Sequence, residues 1–150
     1  MTKRMIRWSL AVAAVISLAV GAIVWAQGGR PLSTTLTGAA EIPPGDPDGT
    51  GTAQITLNAG LGEVCWTINV ASITLPATAA HIHIAPAGIA GPIVVTLSAP
   101  DASGVASGCT QSASQDVLRG ITVAPELFYV NVHNAEFPAG AVRGQLSTQP

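Results

Sequence analysis

Short apolar runs in this chain alternate with polar residues at a period of two, and Gly, Pro and Asn clusters punctuate them every 8 to 12 residues or so. In the clearest run, Val64, Trp66, Ile68 and Val70 share one face of an extended segment, while Glu63, Cys65, Thr67 and Asn69 share the other. A period near 3.6 is almost absent, so the chain is predicted to be all-β. Strands are expected at Leu32–Ala39, Thr50–Asn58, Gly62–Val70, Ala79–Ala85, Ile93–Ser98, Leu127–Asn134 and Ala141–Ser147, with a shorter one near Ser107–Gln111. Seven or eight antiparallel strands in one domain imply a Greek-key sandwich or a small barrel, immunoglobulin-like in general form.

One short segment carries helix signals. Ser112 can cap with Gln115 three residues on, Asp116 suits the first turn, Val117 and Leu118 give an apolar side, and Arg119-Gly120 marks a stop. The stretch LNAGLGEV reads as a hairpin loop, since Asn58 and Gly60 tolerate positive φ where the chain must reverse. In EIPPGDPDGTG, Pro43, Pro44 and Pro47 forbid a central strand; Asp46 and Asp48 could serve as calcium ligands, but a plain solvated turn accounts for them better.

The first 26 residues pose a different physical problem. Lys3, Arg4 and Arg7 precede a largely apolar run from Trp8 to Trp25, and Val24-Trp25-Ala26 offers small residues where a signal peptidase reads. The segment is expected to be a secretory signal, cleaved before Gln27. As a helix the run would span roughly 27 Å, close to the ~30 Å bilayer core, so an uncleaved anchor is the alternative. Residues 27–35 then form a linker and the start of the first strand, and 36–148 the β domain.

The three N-terminal cations leave with the signal. The remainder holds Arg30, Arg119 and Arg143 against eight carboxylates, a formal net charge of about −5. That balance argues against nucleic acid and against anionic membrane as partners. Two cysteines, Cys65 and Cys109, remain in a chain expected to be exported, and pairing is the simplest outcome. Closing that loop of roughly 45 residues contributes about 4 kcal/mol on the chain-entropy model.

HIHIAPAGIAG from His81 and NVHNAEFPAGAVRG from Asn131 resemble each other: Ile or Val, His, a spacer, then Pro-Ala-Gly. Both read as a strand, a turn and a returning strand, so they are candidates for equivalent hairpins. Alternation turns Ile82 and Ile84 one way and His81 and His83 the other. It likewise sets Phe128, Val130 and Val132 against Tyr129, Asn131 and His133. If the two strands are neighbours, all three histidines of the protein converge.

Such an N₃ set suits copper or zinc, with Glu41, Asn131 and Tyr129 as further ligands or outer partners. His83 and His133 hold matching positions; His81, near the start of its strand, is the less secure ligand. The alternative is a purely structural network of imidazoles, Asn131 and backbone carbonyls.

Four stretches, LTGAAEIPP, GTAQITLN, AHIHIAPAGIAGPIVVTL and FYVNVHNAEFPAGAVRGQL, resemble in order and spacing the CHRD domain of chordin and of single-domain exported microbial proteins. The resemblance spans about Leu36 to Leu146. It implies an extracellular β fold and recurring polar positions at Glu41, His81, His83, Asn131, His133 and Arg143, but no reaction. In chordin these domains belong to a protein that sequesters growth factors, a partner of which this chain carries no sign. A fainter likeness to copper-zinc superoxide dismutase rests on His-x-His and Gly108-Cys109; that enzyme's dinuclear centre needs six histidines, and this chain has three.

No Gly-x-Ser-x-Gly or phosphate-binding loop is present. The expected function is therefore an exported, non-catalytic module that binds a protein or surface partner outside the cell. The competing expectation is a mononuclear copper or zinc protein. A third is a piece for adhesion or assembly, suggested by the 9% content of charged residues.

Overall fold

A computed structural model describes residues 29–149; the expected signal or anchor at 1–26 lies outside them. Nine strands form one antiparallel sheet that curls into a nearly closed barrel. They are β1 (Arg30–Thr37), β2 (Thr50–Asn58), β3 (Glu63–Ala71), β4 (Ala79–Ile84), β5 (Ile93–Leu97), β6 (Val105–Thr110), β7 (Phe128–His133), β8 (Val142–Gln145) and β9 (Ser147–Thr148). The spatial order is β5-β4-β7-β8-β1-β2-β3-β6, with β9 pairing with β1. Among the described residues no helix is long and apolar enough to cross a membrane.

The alternation seen in the sequence fills the interior. Val64, Trp66, Ile68 and Val70 are all buried in β3, and Leu32, Leu36, Ile55, Ile82, Val130 and Val132 are wholly enclosed in the same core. Trp66 keeps its indole satisfied by donating from Nε1 to Ser98 Oγ at 3.0 Å. Where β8 crosses β1, the backbones come so close that a Cβ on Gly144 would overlap the Thr35 carbonyl.

Four local expectations are corrected. Helix α1 runs Gln115–Val123 and is capped by Ser114, whose hydroxyl accepts from Val117 N, rather than by Ser112. Ser112 instead donates its backbone N–H to Thr110 Oγ1 and finishes β6. Gly120 does not stop the helix: a Cβ there would meet Phe128 Cζ at 3.0 Å, so the glycine lets α1 lie close against β7 while Leu118 and Ile121 enter the core. In the β2–β3 turn the positive φ belongs to Gly62, at 67°, and not to Asn58 or Gly60, because Asn58 closes the turn by accepting from Leu61 N.

The third correction concerns Asp46, which is buried rather than solvated. Its backbone N–H donates to Ala141 O, and its Oδ1 accepts from Asp48 N. The fourth concerns Ile84. It lies at the end of β4, just beyond the bulge at Ile82/His83, and is 42% exposed although its partner Phe128 in β7 is buried; Ile82 is buried as alternation requires.

Cys65 and Cys109 face each other across β3 and β6 and form a disulfide, which fits an oxidising compartment. It joins the edge strand β6 to its only neighbour. Replacing both cysteines by serine is expected to lower stability by about 3 to 4 kcal/mol, read as a lower urea midpoint with m unchanged or raised as the unfolded chain expands. A midpoint that does not move would mean that the link restrains nothing in the unfolded chain.

Candidate functional site

The two sequence echoes are hairpins, β4–β5 and β7–β8, and they lie side by side because β4 pairs with β7. The register sets His81 opposite Asn131, His83 opposite Tyr129 and Ala79 opposite His133. His133 is therefore a diagonal neighbour of His81, and all three imidazoles stand on the face of β4–β7 that points away from the core. One nitrogen from each of His81, His83 and His133 lies within 4.8 Å of the other two. His81 sits between the others, with ring centroids 5.5 Å from His83 and 5.0 Å from His133, whereas His83 and His133 are 6.5 Å apart. It is thus the central member of the cluster, although its place near the strand start suggested the least secure one.

The echo has a physical basis in how the rings are held. His83 Nδ1 donates to Gly91 O at 2.8 Å, and His133 Nδ1 donates to Pro138 O at 3.0 Å. Each carbonyl lies in the turn that follows its own strand, and each Pro-Ala-Gly turn ends on a positive-φ glycine, Gly88 at 79° and Gly140 at 145°. A carbonyl only accepts, so both rings carry their hydrogen on Nδ1 and leave a lone pair on Nε2. The Nε2 of His133 meets His81 Nδ1 at 3.1 Å. The Nε2 of His83 is buried and has no partner.

A second polar layer covers this face. The segment from Ala85 to Pro92 folds back over β4, β7 and β8. It is fastened by Arg143, which donates from Nη1 to Ile89 O at 2.9 Å and from Nη2 to Pro86 O at 3.1 Å. Gln145 donates to Ala85 O at 3.0 Å, and Gly91 N donates to the Tyr129 hydroxyl at 3.2 Å. Arg143 is 1% exposed; its guanidinium lies 3.4 Å from the Tyr129 ring centroid, and Tyr129 stacks on His83 at 4.7 Å with 6° between planes. Loop carbonyls and Gln145 were not legible as site groups, because backbone acceptors leave no mark on residue type.

Glu41, also expected at the site, is 3% exposed and sits beneath Gly140, where a Cβ would overlap its carboxyl group. Burial raises its pKa, with Asn131 and Arg143 partly opposing the rise. Asn131 Oδ1 and Glu41 Oε1 are both buried without a hydrogen-bond partner. Asp46 and Asp48 join no metal-capable cluster among the described residues.

Electrostatics keep the histidines neutral. Burial pushes His81 down to about 4, helped by the neighbouring His133 and His83. Burial also lowers His83 and His133, against the opposing pull of their Gly91 and Pro138 carbonyls. At neutral pH the site therefore presents uncharged imidazoles, with the Nε2 lone pair of His133 taken up by His81 Nδ1–H and that of His83 unpartnered. Among the described residues no Ser, Thr or free Cys bonds to any of the three rings, so none of these forms a nucleophile–base pair with them.

A family model described as the CHRD domain matches residues 32–146. No curated protein matches the chain.

The three lowered pKa values fix a pH dependence. In the unfolded chain the imidazoles titrate near 6.5, so below that pH the unfolded state binds more protons, and stability falls as the pH drops from about 6.5 toward about 4. Glu41 has the opposite sign, losing stability as the pH rises above its ordinary 4.5, but it is one group against three. The urea midpoint is expected to be lower at pH 5 than at pH 7.5, with a smaller drop in His81→Asn. An equal or higher midpoint at pH 5 would contradict the assignment.

Proposed function

The chain belongs to the CHRD domain family, and from that premise we propose that it works outside the cytoplasm as a non-catalytic β module that binds its ligand at the three-histidine face of β4 and β7. The observation that carries this reading is the buried, unpartnered Nε2 of His83 within a cluster of neutral imidazoles. An orphaned buried acceptor costs about 1 to 3 kcal/mol. A fold that needed only a structural network could fill the position with an apolar residue. Retaining the acceptor makes sense where something else satisfies it.

The surroundings suit binding better than turnover. Both cysteines are locked in the disulfide, and the rings are oriented by turn carbonyls rather than by a carboxylate that would raise their basicity. The disulfide and the expected export signal support a location outside the cytoplasm.

A ligand that binds only the folded state raises Tm, by about 2.7 kcal/mol of stabilisation at a hundred times its Kd. Thermal unfolding of the purified full chain is to be followed with a panel of divalent cations, phosphate, sulfate, short carboxylic acids and simple sugars. At least one is expected to raise Tm by several degrees in the native chain and not in His81→Gln/His133→Gln. A panel that shifts nothing, or shifts the variant equally, would remove the histidine face as the binding site.

A further inference from the structure

We propose that His81 Nδ1, His83 Nε2 and His133 Nε2 form a mononuclear site for a late first-row divalent cation, Cu(II) ahead of Zn(II). This rests on the binding-module reading and names its ligand class. Nitrogens at ~2.0 to 2.1 Å from a shared ion lie about 3.3 Å apart in tetrahedral and up to about 4.1 Å apart in square-planar geometry. The pair His81 Nδ1 and His133 Nε2 stands at 3.1 Å, and one ring nitrogen from each of the three histidines lies within 4.8 Å of the other two. Closing separations of up to 4.8 Å to these distances takes ring displacements of about 1 Å, which χ rotations of the half-buried His81 and His133 supply.

Two of the three ligands have their outer bond already made. Nδ1–H of His83 and of His133 each hold a backbone carbonyl, which fixes the tautomer that offers Nε2 and the plane in which it points. His83 Nε2 is the independent sign of a missing partner, being buried and unsatisfied in a residue 8% exposed. His81 needs one change: it gives up the Nδ1 hydrogen bonded to His133 and takes a hydrogen on Nε2. The three rings stay neutral throughout, so binding releases no net proton.

The donor set decides the class of ion. Three imidazoles without thiolate or carboxylate suit Cu(II) and Zn(II) and fit calcium or magnesium poorly, since those prefer oxygen ligands. The partial exposure of His81 and His133 leaves a side for the ion's approach and for a water as fourth ligand. Arg143 opposes a cation here, but its guanidinium lies behind Tyr129, and the nearby Glu41 supplies a compensating carboxyl group.

The test is calorimetric titration of the metal-stripped full chain with Cu(II) and with Zn(II) at pH 7.5, alongside His81→Gln, His83→Gln and His133→Gln. The Cu(II) form is to be examined by electron paramagnetic resonance. Expected are one ion per chain, sub-micromolar Cu(II) affinity, nitrogen couplings in the spectrum, and a loss of tenfold or more in each variant. His81 and His133 are partly exposed, so if His83→Gln fails to fold the other two still decide. Affinity weaker than micromolar for both ions, or binding indifferent to His81→Gln and His133→Gln, overturns the proposal. If phosphate, carboxylic acids or sugars raise Tm through the histidine face while neither cation does, the metal assignment fails and the binding module stands. If nothing binds there, both fall.

Discussion

A guanidinium taken out of water has to be satisfied on every side, and the outer face of β4, β7 and β8 is organised around doing that for Arg143. It is among the largest fully buried side chains, and its partners are the carbonyls of Pro86 and Ile89, the amide of Gln145 and the π face of Tyr129. Breaking such a set leaves an uncompensated buried charge, among the costliest changes a small domain can suffer. The 85–92 segment is therefore held down by the charge beneath it. That segment supplies the Gly91 carbonyl that orients His83, and Tyr129, clamped between Arg143 and His83, carries the same restraint to the imidazole.

The site thus rests on a stack of flat groups, guanidinium, phenol and imidazole, each limiting the rotation of the next. His133 is held separately, by its own turn. Two hairpins of similar sequence deliver two imidazoles in the same tautomer, and the β4–β7 register places His81 between them. A one-residue slip of β4 in that register would send His81 and His83 into the barrel, away from His133 on β7, and Ile82 into solvent, so core packing and site geometry are specified by the same alignment.

Much of this was legible because it follows from alternation. The span of β2, the buried stripe of β3 and the shared face of the histidines are period-two facts, and the family resemblance at four stretches agreed with them. What escaped depends on contacts distant in sequence. The exposed Ile84 lies just beyond the bulge between β4 and β5 at Ile82/His83, which depends on the partner strand, and the continuation of α1 through Gly120 depends on Phe128. The fold-back of 85–92 was invisible because the attractive partners are main-chain oxygens. Arg143 appeared as a recurring polar position without any hint that it would be the largest of the fully buried side chains.

The sheet has two edges, and they differ in kind. β6 is laced to β3 by a covalent bond, while β5 is held to β4 by hydrogen bonds and by the core packing of Val95 and Leu97, with the bulge interrupting their register. Local opening proceeds where no covalent link resists it, at a free energy below that of global unfolding. The turn carbonyl that orients His83 adjoins the edge that has no covalent link, while His133 takes its carbonyl from a turn between two inner strands. The two matched imidazoles are thus anchored in parts of the sheet that differ in their resistance to local opening.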